Sequence, residues 1–329
     1  MNKRKLGRTD LHLSELCLNA TKFGSTNDEA SSFALLDTYH TGGGSFIQSL
    51  GFAPNSVAAQ LIESSSEDIV GRWHQTRGIN RDNLVLASRI NFFRPAHGGS
   101  IAFTNLIREA CERSLRRLRI KHLDLLICDW DDQLAPVEDL LEAVDMLIRA
   151  GLVRYAVAGG FPPWRVIDSI HRSGLRNHAR FEALQVEYSL LNRARFEPES
   201  LAMCREHRLG FLARSPLAGG FLARRPVSIR ELINLDRDWK NERFGSNVGD
   251  AVLQVLAEIA DARLVAPAQI ALAWVLRNPQ VTSAVVSTAT APELRELIRA
   301  SEIVLTPEET GALANVTTLQ DPRMELRHV

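Results

Sequence analysis

The sequence predicts an α/β fold in which eight parallel strands, each followed by a helix, close into a single barrel. Three observations carry that prediction. Short apolar runs alternate with amphipathic helical stretches along nearly the whole chain. The runs are continuous rather than alternating, as in Leu84–Ile90 between polar neighbours, which suits strands buried on both faces. No low-complexity linker divides residues 1–329, and one barrel of ~250 residues or more accommodates that length as a single domain.

Taken in order, Lys3–Leu6 and Leu11–Ser14 flank Gly7-Arg8-Thr9-Asp10 and predict a β-hairpin ahead of the barrel. Leu16–Leu18 begins the first barrel strand. Asp28-Glu29 opens a helix that places Phe33, Leu36 and Tyr39 near one face and stops at the glycines 42–44. Ser45–Gln48 is the second strand. Asn55–Ser66, rich in Ser and Ala, reads as a loop insertion before a helix over Glu67–Arg77. Leu84–Ile90 is the third strand. The helix Ile101–Leu118 follows, with Ile107, Cys111, Leu115 and Leu118 on one stripe. Leu123–Cys128 is the fourth strand. Pro136, favourable at a helix start, leads a periodic apolar series from Val137 to Ile148 that ends at Gly151.

The later strands are Tyr155–Ala158, Leu184–Val186, Phe211–Ala213 and Ser283–Val286. Helices are expected at Pro162–Ser173, Pro198–His207, Asp250–Asp261, Pro267–Arg277 and Pro292–Ala300, with a polar loop over Arg224–Gly249. Thr306-Pro-Glu-Glu309 carries a capping box and starts an extra helix outside the barrel. The fold class is thus a (β/α)8 TIM barrel with an N-terminal β-hairpin and extra helices near the C-terminus.

Composition narrows the functional classes. Lys plus Arg equals Asp plus Glu at 39 each, so no net field draws the chain to nucleic acid or an acidic membrane. The basic start lacks an apolar segment behind it, and the longest apolar runs, such as Ala268–Leu276, fall short of a span. Cys17, Cys111, Cys128 and Cys204 sit in apolar patterns without CxxC pairing, which reads as reduced core thiols and a cytoplasmic setting. The histidines form no HxxxH or HxH cluster, so no metal site is expected.

Several segments resemble the aldo-keto reductase family: Lys5-Leu-Gly-Arg-Thr, Glu67-Asp-Ile-Val-Gly-Arg72, Ser114-Leu-Arg-Arg-Leu118 running into Leu123-Asp-Leu125, and Gly151-Leu-Val-Arg-Tyr155. Gln185-Val-Glu-Tyr-Ser-Leu-Leu-Asn-Arg193 and Ser215-Pro-Leu-Ala-Gly-Gly220 are the most specific. They occur in order from residue 5 to about 300. The resemblance implies a barrel whose relatives reduce carbonyls with NADPH, using Asp, Tyr, Lys and His at strand ends. It also implies a precedent for partner binding, because the family includes potassium-channel auxiliary subunits, although no docking segment stands out here.

Carried onto this sequence, those four positions hold Gln48, Ala53, Arg89 and Asp129. A methyl group cannot donate a proton, and a positioned general acid supplies roughly 10²–10⁴-fold in rate. Cofactor positions differ too: Gly159-Gly160 replace a Ser-Asn pair, Arg214 replaces a stacking aromatic, and Ser287, Glu293 and Leu297 stand where Gly, Gln and Asn are customary. Gln185, Ser215, Leu217 and Gly219 remain as cofactor-binding positions, and Arg295 is a substitute phosphate contact. NADP is therefore a weakened expectation rather than a firm one.

Two readings of the remaining polar set stay open. In one, Arg89 and Asp129 form an ion pair that plugs the mouth, leaving a pseudoenzyme that binds a metabolite or a partner. In the other, Asp129 is a general acid or base oriented by Arg89, with Gln48 as a hydrogen-bonding contact. That reading gives a lyase, isomerase or cyclase acting on a small anionic metabolite. Arg214 and Lys22 would hold the anion, and Trp130 and Tyr188 would line the cavity. A third possibility is an oxidoreductase with relocated residues.

Overall fold

The computed structural model describes residues 1–51, 57–91, 99–129, 136–224 and 247–318. A hairpin of β1 (Lys3–Lys5) and β2 (His12–Ser14) precedes eight barrel strands. These are β3 (Leu16–Asn19), β4 (Phe46–Leu50), β5 (Val85–Asn91), β6 (Leu123–Asp129), β7 (Val153–Gly159), β8 (Phe181–Glu187), β9 (Gly210–Arg214) and β10 (Ser283–Val286). Each pairs in parallel with the next, and β10 closes the ring against both β9 and β3.

Around the ring run α1 (Glu29–Thr41), α2 (Val57–Thr76), α3 (Gly99–Leu118), α4 (Val137–Arg149) and α5 (Pro163–Arg176). Then come a broken helical stretch over Arg193–Glu206, α6 (Asn247–Arg263), α7 (Pro267–Arg277), α8 (Ala291–Arg299) and α9 (Pro307–Thr318). The expected loop insertion at Asn55–Ser66 is a correction: α2 begins at Val57. Ala58, Ala59, Gln60, Leu61 and Glu63 are good helix formers, and the three serines that follow are not strong enough to interrupt them. Residues 225–246 of the expected polar loop lie outside the described residues.

Side chains on alternate strand positions divide the core in two. Cys17, Phe46, Val85, Ala87, Leu125, Ile127, Val157, Ala183, Leu212 and Val285 fill the barrel interior. Leu6, Leu11 and Leu13 of the hairpin region join this cluster, so the hairpin closes the floor. The intervening strand residues pack outward against the helices in a larger cluster that includes Leu86, Leu126, Leu184 and Phe211.

The motifs that carry the resemblance largely build this floor and wall. Arg8 grips Glu182, with Nη2 2.9 Å from Oε1. Asp124 accepts from Arg81, at 2.6 Å, and from the backbone N–H of Leu86, at 2.9 Å. Tyr155 donates to Asp10 at 2.8 Å, which with Arg154 holds that carboxyl below its usual range. The Glu67 carboxylate is fully buried between Ser88, at 2.7 Å, and Arg117, at 2.9 Å. Burial raises its carboxyl while Arg117 opposes the rise.

Two glycines answer to close approach. A Cβ on Gly44 would lie 2.4 Å from the ring of the buried Tyr39, whose hydroxyl meets the carbonyl of Leu16 at 2.6 Å. A Cβ on Gly71 of α2 would lie 2.2 Å from the carbonyl oxygen of Arg117 in α3. Gly71→Ala is therefore expected to destabilise the fold by about 1–3 kcal/mol, the collision outweighing the ~1 kcal/mol that Ala gains as a helix former. Equilibrium denaturation checks this, and an unchanged midpoint and slope would contradict the tight α2–α3 approach.

Candidate active site

Above the apolar interior, the next inward positions at the C-terminal strand ends are polar: Asn19, Gln48, Arg89, Asp129, Gln185, Glu187 and Arg214. This is the end at which barrel enzymes of this architecture place their chemistry. The register explains why these residues meet. Asp129 pairs across to Gly159 on β7, Gly159 to Gln185 on β8, and Glu187 to Arg214 on β9.

The strongest contact is a two-pronged ion pair. Arg89 Nε lies 2.5 Å from Asp129 Oδ2, and Nη2 lies 2.7 Å from Oδ1. The two side chains are 17% and 21% exposed, so the pair stands at the mouth, mostly withdrawn from water. A fork of guanidinium on carboxylate is the geometry in which Arg fixes direction as well as charge. Position 159 makes room for it: a Cβ there would fall 2.5 Å from Asp129 Oδ1 and 3.1 Å from the carbonyl oxygen of Cys128. Glycine at 159 and aspartate at 129 are thus one steric unit.

A second polar contact lies deeper. Gln185 Nε2 donates to Gln48 Oε1 at 2.8 Å, and both side chains are almost fully buried. The Oε1 of Gln185 is buried without a partner among the described residues. Arg214 lies 3.7 Å from Glu187, its neighbour across the register. At the rim, Asn19 Nδ2 donates to Ser287 Oγ at 3.0 Å and ties the end of β3 to the segment after β10.

The expected substrate contacts are only partly assembled. Arg214 stands at the mouth at the end of β9, paired in register with Glu187 of β8 and Val285 of β10. Lys22 is exposed on the turn after β3, and its backbone carbonyl, which accepts from the N–H groups of Ser25 and Thr26, is what orders that turn. Trp130 and Ala53 lie outside the described residues. Tyr188 is a correction. It points away from the mouth into a cluster with Phe196, Phe211 and Trp274, donates to Glu197 at 2.9 Å and accepts from Asn278 at 3.0 Å. Burial raises its phenol well above the usual value. The reason is parity: three residues beyond the inward Gln185, a side chain faces the opposite way.

The loop after β9 keeps an unusual backbone. Ser215, Ala218, Gly219 and Gly220 all have positive φ, at 51°, 50°, 68° and 95°. Leu217 accepts through its carbonyl from the N–H of Gly220 at 2.9 Å. A dinucleotide meets a mixed reception here. The unpartnered Oε1 of Gln185 suits an amide donor. At the other end, Glu293 Oε2 accepts from Ala289 N at 3.2 Å, and Thr290 Oγ1 accepts from Glu293 N at 3.4 Å. That carboxylate lies at the start of α8, where its charge would repel a phosphate. Arg295 lines an outer groove with Thr38, Thr41 and Gly42 at the end of α1, not the mouth. The residues at the start of α8 do not fit a 2′-phosphate.

Among the described residues there is no group of His, Cys, Asp or Glu arranged to hold a metal, and no single helix is long and apolar enough to cross a membrane. All four cysteines are buried free thiols.

Comparison with known proteins places these features. The model of the aldo/keto reductase family matches residues 20–317. An uncharacterized oxidoreductase of Bacillus subtilis (strain 168), YrpG, is 30% identical over 319 residues, covering 92% of each chain. Norsolorinic acid reductase B of Aspergillus parasiticus is 28% identical over 332 residues, 93% of this chain and 81% of that one. A probable voltage-gated potassium channel subunit beta of Oryza sativa subsp. japonica is 26% identical over 336 residues, 99% of each.

The steric unit at the mouth gives a direct test. Gly159→Ala is expected to cost about 1–3 kcal/mol of stability in the wild-type background and markedly less in an Asp129→Ala background. Denaturation of the four proteins of the cycle measures the coupling, and equal costs in both backgrounds would refute it.

Proposed function

Because this chain belongs to the aldo/keto reductase family, we propose that it is a member whose barrel mouth binds a small anionic metabolite without transferring hydride to a carbonyl. The observation that carries the reading is the Arg89–Asp129 fork seated against Gly159. It stands where the family resemblance calls for a proton-transfer apparatus, and it offers no group poised to protonate an alkoxide. Gln48 and Ala53 complete the replacement, since an amide and a methyl group are poor proton donors. The names of the relatives point to oxidoreductases, and the fold is shared with them; the departure proposed here lies in the chemistry of these four positions.

Charge supports an anionic ligand. Among the described residues, Lys22, Arg89 and Arg214 stand with Asp129 and Glu187 at the strand ends of the mouth. A carboxylate or phosphate group of a metabolite would meet Arg214, which lies 3.7 Å from Glu187, as its guanidinium contact. NADP(H) is not part of this reading, because the carboxylate of Glu293 caps the helix that would receive its phosphate. A cytoplasmic setting fits four reduced thiols in the core.

One observation favours a second reading. The Asp129 side chain is 21% exposed, so a ligand reaches it, and it would then serve as the proton-transfer group of a non-redox lyase, isomerase or cyclase, oriented by Arg89. Against this, both carboxylate oxygens are already engaged by the guanidinium.

The test is hydride transfer. Purified protein supplied with NADPH and a panel of aldehydes and ketones is expected to consume no NADPH above the uncatalysed rate. Sustained NADPH oxidation dependent on an added carbonyl would overturn the proposal. Should a non-redox turnover be found, its loss in Asp129→Asn with folding intact would favour the second reading over the first.

A further inference from the structure

We propose that the underside of the barrel holds a second ligand site, separate from the mouth, that binds a small oxyanion such as a phosphate group. Where β4, β5 and β7 begin, a polar cavity of about 350 Å³ lies between the strand ends and the hairpin. Lys3 lines it from β1, Arg81 and Asp82 from the turn before β5, and Arg154 from β7. His122 and Asp124 line it from the start of β6, and Asp10 and His12 from the hairpin region. The site stands independently of the reading of the mouth.

The choice of an anion follows from which polar groups are already engaged. Asp124 accepts from Arg81 at 2.6 Å, from Arg154 at 3.2 Å and from the N–H of Leu86 at 2.9 Å. Asp10 accepts from Arg154 at 2.9 Å and from Tyr155 at 2.8 Å. What remains is chiefly donors. Ser45, which also lines the cavity, is 5% exposed, yet its Oγ has no partner among the described residues, and neither has Arg81 Nε. Lys3 is exposed and makes no ion pair among the described residues. Buried donors without partners are costly, and these call for an acceptor that the chain itself does not supply. An oxyanion offers several oxygens to such a set. Asp82 opposes it, and Lys3 offsets that charge.

The histidines make the site responsive to pH. While both are neutral the lining is balanced, with Lys3, Arg81 and Arg154 against Asp10, Asp82 and Asp124. Burial and the charges of Arg81 and Arg154 hold the His122 ring below its usual range, against the opposing pull of Asp124 and Asp82. A bound anion favours the charged ring, so it raises His122 and binds more tightly as the pH falls through the histidine range.

Titration of the full chain with inorganic sulfate, followed by NMR on the ring protons of His122, tests this, with sodium chloride at matched ionic strength as the reference. The expected result is a saturable shift with sulfate alone, and a His122 titration midpoint that moves up when sulfate is bound. Lys3→Glu and Ser45→Ala are each expected to weaken binding by at least ~10-fold, with circular dichroism confirming the fold. Arg214→Ala, at the mouth, is expected to leave the response unchanged. A shift that does not saturate, an equal response to chloride, or an affinity that survives Lys3→Glu or Ser45→Ala overturns the proposal. So does loss of the response in Arg214→Ala, which would put the sulfate at the mouth instead.

Discussion

The fork between Arg89 and Asp129 is the contact on which the mouth of this barrel depends. Either partner alone would leave a charge mostly withdrawn from water, a penalty of several kcal/mol. Together, the guanidinium satisfies both carboxylate oxygens and fixes the direction of each side chain. The pair also sets its surroundings. Asp129 reaches its position only because β7 presents a glycine beside it, and the register that places Gly159 there likewise carries Gln185 into the layer. Gln185 in turn is tied to Gln48. The result is a rim of largely interlinked polar groups above an apolar interior, with Gln185 Oε1 left without a partner among the described residues.

Such a rim has chemical consequences. Positioned proton donors and acceptors contribute to catalysis when they are held at a reacting atom and free to exchange a proton. Here both oxygens of Asp129 are engaged by Arg89, and the side chains of Gln48 and Gln185 are amides bonded to each other. What the arrangement offers is a set of fixed hydrogen-bonding groups above a rigid floor. One fold can carry different chemistries, since function rests on the residues grafted at the strand ends.

Much of this was legible in the sequence, and the reasons differ from residue to residue. The eight strands were visible because strands buried on both faces read as continuous apolar runs: Leu123–Cys128 falls within β6, and Leu84–Ile90 overlaps β5 but starts one residue before it. The ion pair was anticipated from two charges at the ends of adjacent strands. The start of α2 was missed because serines mask a helix that its alanines and leucine sustain. Tyr188 was misplaced although the signal was present: strand alternation from Gln185 already turns it outward. The union of Gly159 with Asp129 had no signature in either residue. It follows from the register between β6 and β7, which pattern alone does not supply. The motifs that revealed the family mostly serve the floor and the wall, as Arg8, Glu67, Asp124 and Tyr155 show, and they persist where the mouth has changed.

We propose that the mouth is organised around its internal ion pair and not around a bound nucleotide and a proton donor. Calorimetric titration of NADPH into the wild-type protein tests this. No saturable binding is expected in the micromolar range. Saturable micromolar binding, accompanied by hydride transfer when an aldehyde is added to the same sample, would contradict it.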